Sequence, residues 1–260
     1  MIATTNHINI ANSKIAFSQL ICFENRPTLI FLHDSLGCIS LWRDFPEQLG
    51  EWSQCNLLVY DRNGYGASGE LVKPNRENDY LEDEAAILIE LIETLNIGRP
   101  ILFGHSDGGS IALIAAAKYP DKIAAVISEG AHIFVEAETI KGIREAMEQY
   151  QTTNLKQKLE KYHGDKTDAL FNAWTKTWTS DAFQSWNIEN FLPLITCPVL
   201  VIQGENDEFG TLAQVNRIVD RVSGKAVKEI LPGIAHTPHK EAPELIIELA
   251  SEFIQSLPSD

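Results

Sequence analysis

The chain has 260 residues, 44% of them hydrophobic, which is enough to bury a large core in a single α/β unit. A formal net charge of -15 at pH 7 denies it the basic patch that nucleic acid or an anionic membrane surface requires; the acidity serves solubility and mildly favours a cationic ligand. No apolar run approaches the roughly 20 residues that span a bilayer, and the four cysteines (22, 38, 55 and 197) form no C-x-x-C pair, so small buried thiols are expected rather than a metal site or a disulfide framework.

Residues 1–17 alternate polar and apolar side chains and lack the basic start and apolar core of a secretory leader. They read as the first strand region of a sheet in a protein expected in the cytoplasm. Strands are predicted near 7–10, 14–22, 27–33, 55–60, 99–105, 123–129, 198–203 and 226–231, and helices near 38–50, 79–96, 107–118, 210–222 and 242–256. Such alternation implies an α/β fold: a mostly parallel eight-stranded sheet with helices on both faces and ligands at the carboxyl ends of the strands.

Those carboxyl ends carry the polar motifs. The strand at 28–32 runs into His33-Asp34-Ser35-Leu36-Gly37, where the backbone N–H of Ser35 is a candidate oxyanion donor and His33 a loop brace. The next strand enters Asp61-Arg62-Asn63-Gly64-Tyr65-Gly66, whose first two residues are expected to form a bracing ion pair. Glu82, Asp83 and Glu84 are assigned to the solvated face of the helix that follows.

Residues 101–109 hold the most informative motif, Gly104-His105-Ser106-Asp107-Gly108 between an apolar strand and an Ala-rich helix. Glycines flanking a serine at a strand-to-helix junction admit a sharp turn that leaves the hydroxyl exposed, a nucleophile elbow. The N–H of Asp107, at the helix start, becomes the second oxyanion donor.

A serine hydroxyl needs a base and an acid that orients the base. The strand at 198–203 ends in Gly204-Glu205-Asn206-Asp207, which places Asp207 at the sheet edge as the acid. Its rival is Glu129, which closes the strand at 123–128 on the same edge and is otherwise a carboxylate at the pocket rim. After the last strand come His236 and His239; His236 leaves the turn first and is preferred as base, with His239 in the pocket. Residues 134–190 interrupt the alternation with aromatic-rich helical sequence, read as a cap of three or four short helices over Ser106. Within it Trp174 and Trp178 are candidate substrate contacts, although at least half of the cap aromatics are expected to pack the cap onto the core. The whole, 1–260, is expected to form one domain.

The elbow and its helix, Gly104 through Pro120, together with His33-Asp-Ser-Leu-Gly37, Asp61-Arg-Asn-Gly-Tyr-Gly66, Glu129-Gly-Ala131 and Gly204-Glu-Asn-Asp207, resemble the α/β-hydrolase superfamily and, more narrowly, its valacyclovir hydrolase (biphenyl hydrolase-like) branch. The order Ser106, Asp207, His236 is the order of that superfamily. In the branch the aspartate after the nucleophile meets the substrate's ammonium, so the resemblance implies that role for Asp107 and an amino-acid ester as substrate. The chain departs from the branch pattern at His105, at Asp34 and at Asp207-Glu-Phe-Gly-Thr211.

The expected activity is therefore ester hydrolysis of a small molecule through an acyl-enzyme, with no cofactor and no metal. A serine at the elbow argues against haloalkane dehalogenase and epoxide hydrolase chemistry, which in this fold uses an aspartate there. Carbon–carbon bond hydrolysis, a lyase-like synthase or perhydrolysis would use the same triad, and a receptor would use the fold without turnover. Anionic substrates would call for cap arginines, and the cap holds only Arg144, with several lysines.

Overall fold

The computed structural model describes residues 5–73 and 75–258, so residues 1–4 of the predicted N-terminal strand region lie outside it. Eight strands, β1 (Asn6–Ile10), β2 (Ser13–Leu20), β3 (Thr28–Leu32), β4 (Asn56–Asp61), β5 (Ile101–His105), β6 (Ala125–Glu129), β7 (Val199–Gly204) and β8 (Ala226–Leu231), form one sheet in the order β1-β2-β4-β3-β5-β6-β7-β8. β1 and β2 pair antiparallel, β2 pairs antiparallel with β4, and the rest is parallel. The chain thus has the α/β-hydrolase fold.

The parallel strands are near-continuous apolar runs because helices cover both faces. The two-residue side-chain period assigns each residue a face. Leu29 and Phe31 of β3 face α1 (Phe45–Ser53) and α9 (Pro243–Gln255), joining Trp42, Phe45, Leu49, Ile246, Ala250 and Phe253. Ile30 and Leu32 face the other way, toward α2 (Tyr80–Thr94) and α3 (Asp107–Lys118). α3 is buried from Asp107 to Ala117, which is why it has no polar stripe.

One predicted helix is split and another gains a short helix before it. The one at 38–50 opens as a 3-10 turn, Ile39–Trp42, and restarts as α1 because Arg43 takes φ 55° between them. The last one is preceded by the short α8 (Pro238–Glu241), and Pro243 starts α9 where its missing N–H costs nothing. Between β6 and β7 the cap comprises α4 (Ala137–Thr152), α5 (Leu155–His163) and α6 (Thr167–Trp178), its ends joined by a bridge between Phe134 and Asn187; α7 (Leu212–Arg221) follows β7. The cap is latched down by His163, whose Nε2 donates to the carbonyl of Leu36 (2.9 Å) while Nδ1 accepts the N–H of Gly66 (3.1 Å). No described helix is long and apolar enough to cross a membrane.

Candidate active site

Ser106 sits between β5 and α3 with φ 55° and ψ -119°, a conformation that costs a non-glycine residue of order 1–3 kcal/mol and persists only where the surroundings enforce it. The glycines explain how the turn closes. A Cβ on Gly104 would collide with the carbonyl of Gly108, and one on Gly108 with the carbonyl of Leu32. The turn presses the helix start onto β3 and β5 and holds up the serine.

The loops after β7 and β8 bring Asp207 and His236 to it. Nε2 of His236 lies 3.0 Å from Oγ of Ser106, and Nδ1 lies 2.8 Å from Oδ1 of Asp207. Burial alone would push the imidazole down, but the Asp207 carboxylate outweighs it and holds His236 above the ordinary histidine range, with Glu208 and Asp34 adding to the effect. Burial likewise opposes the charge on Asp207, and the His236 contact overcomes it, keeping that carboxyl below its usual range. The N–H of Phe209 also donates to Oδ1 of Asp207 at 2.9 Å.

Glu129 and His239 do not join this set, which corrects their expected place at the pocket. Glu129 is wholly buried; its Oε2 accepts from Nδ1 of His239 at 2.6 Å and its Oε1 from the N–H of His239 at 2.6 Å. Burial lowers His239, so a neutral ring donates to a charged carboxylate. The pair lies outside the cavity lining, with α8 turning His239 inward against Trp42 and the ring of His105.

The cavity beside Ser106 has a volume of about 160 Å³ and is walled by Leu36, Ile143, Trp174, Trp178 and Phe209. Both candidate tryptophans are therefore at the cavity, and Trp178 also packs with Phe183 and Trp186 inside the cap. Ser35 and Asp107 line it as well. Among the described residues no hydrogen bond takes the N–H of Ser35, whereas that of Leu36 is spent on Oδ1 of Asp34. Asp107 opens α3, where an N–H has no intrahelical partner.

The side chain of Asp107 is placed differently from its expected role. Its Oδ2 lies 3.4 Å from Nη2 of Arg62 and accepts from the hydroxyl of Tyr80 at 3.1 Å, and Tyr80 in turn accepts from Nε1 of Trp178 at 2.9 Å. Arg62 is 0% and Asp107 1% exposed, so the charge that an ammonium would meet is offset by the protein's own guanidinium. The expected Asp61–Arg62 ion pair is absent among the described contacts. Asp61 braces its loop through the N–H groups of Ile39 (2.6 Å) and Ala67 (2.7 Å), while Arg62 turns under the elbow. His33 does brace, accepting the N–H of Arg62 at 3.0 Å and donating to the carbonyl of Asp34 at 2.8 Å.

Sequence reasoning did not identify His132, Thr139, Ile143 or Phe209 as cavity neighbours. Phe209 lies in one of the departures from the branch pattern, which was the available signal; its ring centroid is 4.7 Å from that of His236. Three buried groups, His105, Glu129 and His239, bring possible metal-ligating atoms within 4.8 Å of one another. One nitrogen of each ring is already engaged, Nδ1 of His239 with Glu129 and Nε2 of His105 with the carbonyl of His236.

Residues 45–243 match the family model described as Serine aminopeptidase, S33. The chain is 29% identical over 248 residues to the protein named Serine hydrolase BPHL of Mus musculus, covering 89% of this chain and 80% of that one. It is 22% identical over 285 residues to 2-hydroxy-6-oxononadienedioate/2-hydroxy-6-oxononatrienedioate hydrolase of Escherichia coli (strain K12), covering 97% of this chain and 96% of that one. Among solved structures it is similar to MGS-M2, an alpha/beta hydrolase enzyme from a Medee basin deep-sea metagenome library, with a TM-score of 0.80, 20% identity and coverage of 98% of this chain and 99% of that one.

Proposed function

The chain belongs to the Serine aminopeptidase, S33 family and is an α/β-fold serine hydrolase, and on that premise we propose that it cleaves small, uncharged carboxylic esters through an acyl-enzyme on Ser106. The observation that carries this reading is the continuous hydrogen-bonded line from Asp207 through His236 to Ser106, at 2.8 and 3.0 Å. His236 Nε2 takes the hydroxyl proton as Oγ attacks the ester carbonyl, then delivers that proton to the departing alcohol. Asp207 fixes the tautomer and stabilises the imidazolium. The N–H groups of Asp107 and Ser35 receive the oxyanion, and each such donor is worth about 3–4 kcal/mol. Water activated by the same imidazole then releases the acid.

The substrate class follows from the walls. The cavity is lined by no lysine or arginine among the described residues, which disfavours the anionic substrates of carbon–carbon bond hydrolysis. Of the two carboxylates in the lining, Asp107 is offset by Arg62 and Asp34 stands against Nδ1 of His105, which disfavours a selective ammonium site. Apolar walls and a volume near 160 Å³ suit a short acyl chain. The test is a panel of 4-nitrophenyl esters from acetate to decanoate, with α-amino and dicarboxylate counterparts. Turnover of short neutral esters that disappears in Ser106→Ala supports the proposal; turnover that survives in Ser106→Ala, or that needs a charged acyl group, contradicts it.

A further inference from the structure

His105 is the buried ring that this mechanism leaves unused. It ends β5, one residue before Ser106, and each of its ring nitrogens reaches a different loop. Nε2 donates to the carbonyl oxygen of His236 at 2.9 Å, and Nδ1 stands 3.4 Å from Oδ2 of Asp34. The other oxygen of Asp34 accepts the N–H of Leu36 at 2.7 Å and so closes the turn that carries Ser35.

Apart from the ring of His236 on Asp207 and the buried bonds of His239 to Glu129, the segment around His236 is held weakly. Its three successive N–H groups go to carboxylates rather than to secondary structure: those of Ala235 and Thr237 to Glu241, at 3.0 and 3.2 Å, and that of His236 to Oε2 of Glu208, at 3.2 Å. Both glutamates are exposed, where water competes for every such bond. His105 is 2% exposed, so its bond to the carbonyl of His236 forms in a low-dielectric surrounding that the bonds to the two glutamates lack. Two departures from the branch pattern, at positions 34 and 105, thus touch each other and form one device.

We propose that His105 is a positioning residue that ties the segment bearing His236 to the loop bearing Ser35, so that the base and one oxyanion donor keep a single mutual geometry. The proposal rests on the triad assignment above. Breaking the tie lets the segment and the loop relax separately, which misplaces Nε2 relative to Ser106. His105 and Asp34 reach the cavity lining, but the apolar walls that bind an acyl chain come largely from the cap, which His105 does not touch in any described contact, so the loss falls on kcat more than on KM.

The test compares wild type with His105→Ala, His105→Gln, Asp34→Asn and Ser106→Ala, reading hydrogen exchange over residues 33–37 and 232–241 and steady-state hydrolysis of 4-nitrophenyl butyrate. In His105→Ala both segments exchange faster, and kcat falls by roughly tenfold to a hundredfold, the scale of a displacement near 1 Å, with KM within about twofold. His105→Gln, which can still donate to the carbonyl of His236, loses less, and Asp34→Asn, at a partly exposed position, loosens both segments without unfolding the core. Faster exchange in only one segment, an unchanged kcat in His105→Ala beside an inactive Ser106→Ala, or a loss carried by KM would each overturn the coupling. Persistent turnover in Ser106→Ala would instead overturn the triad assignment beneath it.

Discussion

Asp107→Ala separates two accounts of the residue after the nucleophile. The substitution removes the carboxylate partner of a guanidinium that is 0% exposed. Loss of one partner from a buried ion pair costs about 3–5 kcal/mol, and the 3.4 Å separation puts this pair near the lower bound. Arg62 keeps its bond from Nη2 to the carbonyl of Asp34, its place 4.6 Å over the Tyr65 ring and the field of the buried Glu84, which also hold the loss near that lower bound. At roughly 2–4 °C per kcal/mol for a chain of this size, Tm should fall by about 6–12 °C. Activity is read on 4-nitrophenyl butyrate and its 2-amino analogue. Alanine preserves the N–H at the helix start, so both esters should change by the same factor, and wild type should show no preference for the amino ester. A wild-type preference that disappears selectively in Asp107→Ala, with Tm unmoved, would refute the reasoning and restore an ammonium-binding carboxylate.

Other outcomes follow from the same geometry. Because the base must be neutral and Asp207 holds His236 above its ordinary value near 6.5, kcat/KM should fall as pH drops through a midpoint above about 6.5, and Asp207→Asn should move that limb to lower pH; a pH–rate profile decides. Trp174→Ala should cost about 3–5 kcal/mol of stability and lengthen the preferred acyl chain, read from the chain-length profile. His163 is lowered by burial and accepts an N–H, so it is neutral when folded; its stabilising effect is complete above the unfolded value near 6.5 and is lost as pH falls below that toward the folded value. Protection from hydrogen exchange over 137–178, corrected for the intrinsic rate at each pH, should therefore fall on acidification in wild type, and in His163→Gln it should be low and insensitive to pH.

Much of this architecture was legible in the sequence because it depends on local patterns. Apolar runs of four to six residues gave the parallel strands, glycine spacing gave the elbow at Ser106, and chain order ranked Asp207 and His236 above Glu129 and His239. What was not legible depends on which way a side chain turns. Arg62 was expected to pair with its neighbour Asp61, but it reaches 45 residues along the chain to Asp107, a contact created by strand order and not by sequence distance. Glu84 was assigned to a solvated helix face and is buried, its carboxyl raised by desolvation beside Arg62 and Arg76. Cys22 is exposed just beyond β2, whereas Cys38, Cys55 and Cys197 are the buried thiols expected. His105 and Asp34 stood out only as departures from a pattern, and their contact required the register that sets β3 beside β5.

The central claim, that Ser106 is an activated nucleophile, is tested most directly by reaction with a fluorophosphonate followed by peptide mass spectrometry. One adduct per chain on the peptide containing Ser106, greatly slowed in His236→Ala and absent in Ser106→Ala, is the predicted result. An unlabelled Ser106 in a protein that still hydrolyses esters, or an adduct on another residue that accounts for the turnover, would contradict it.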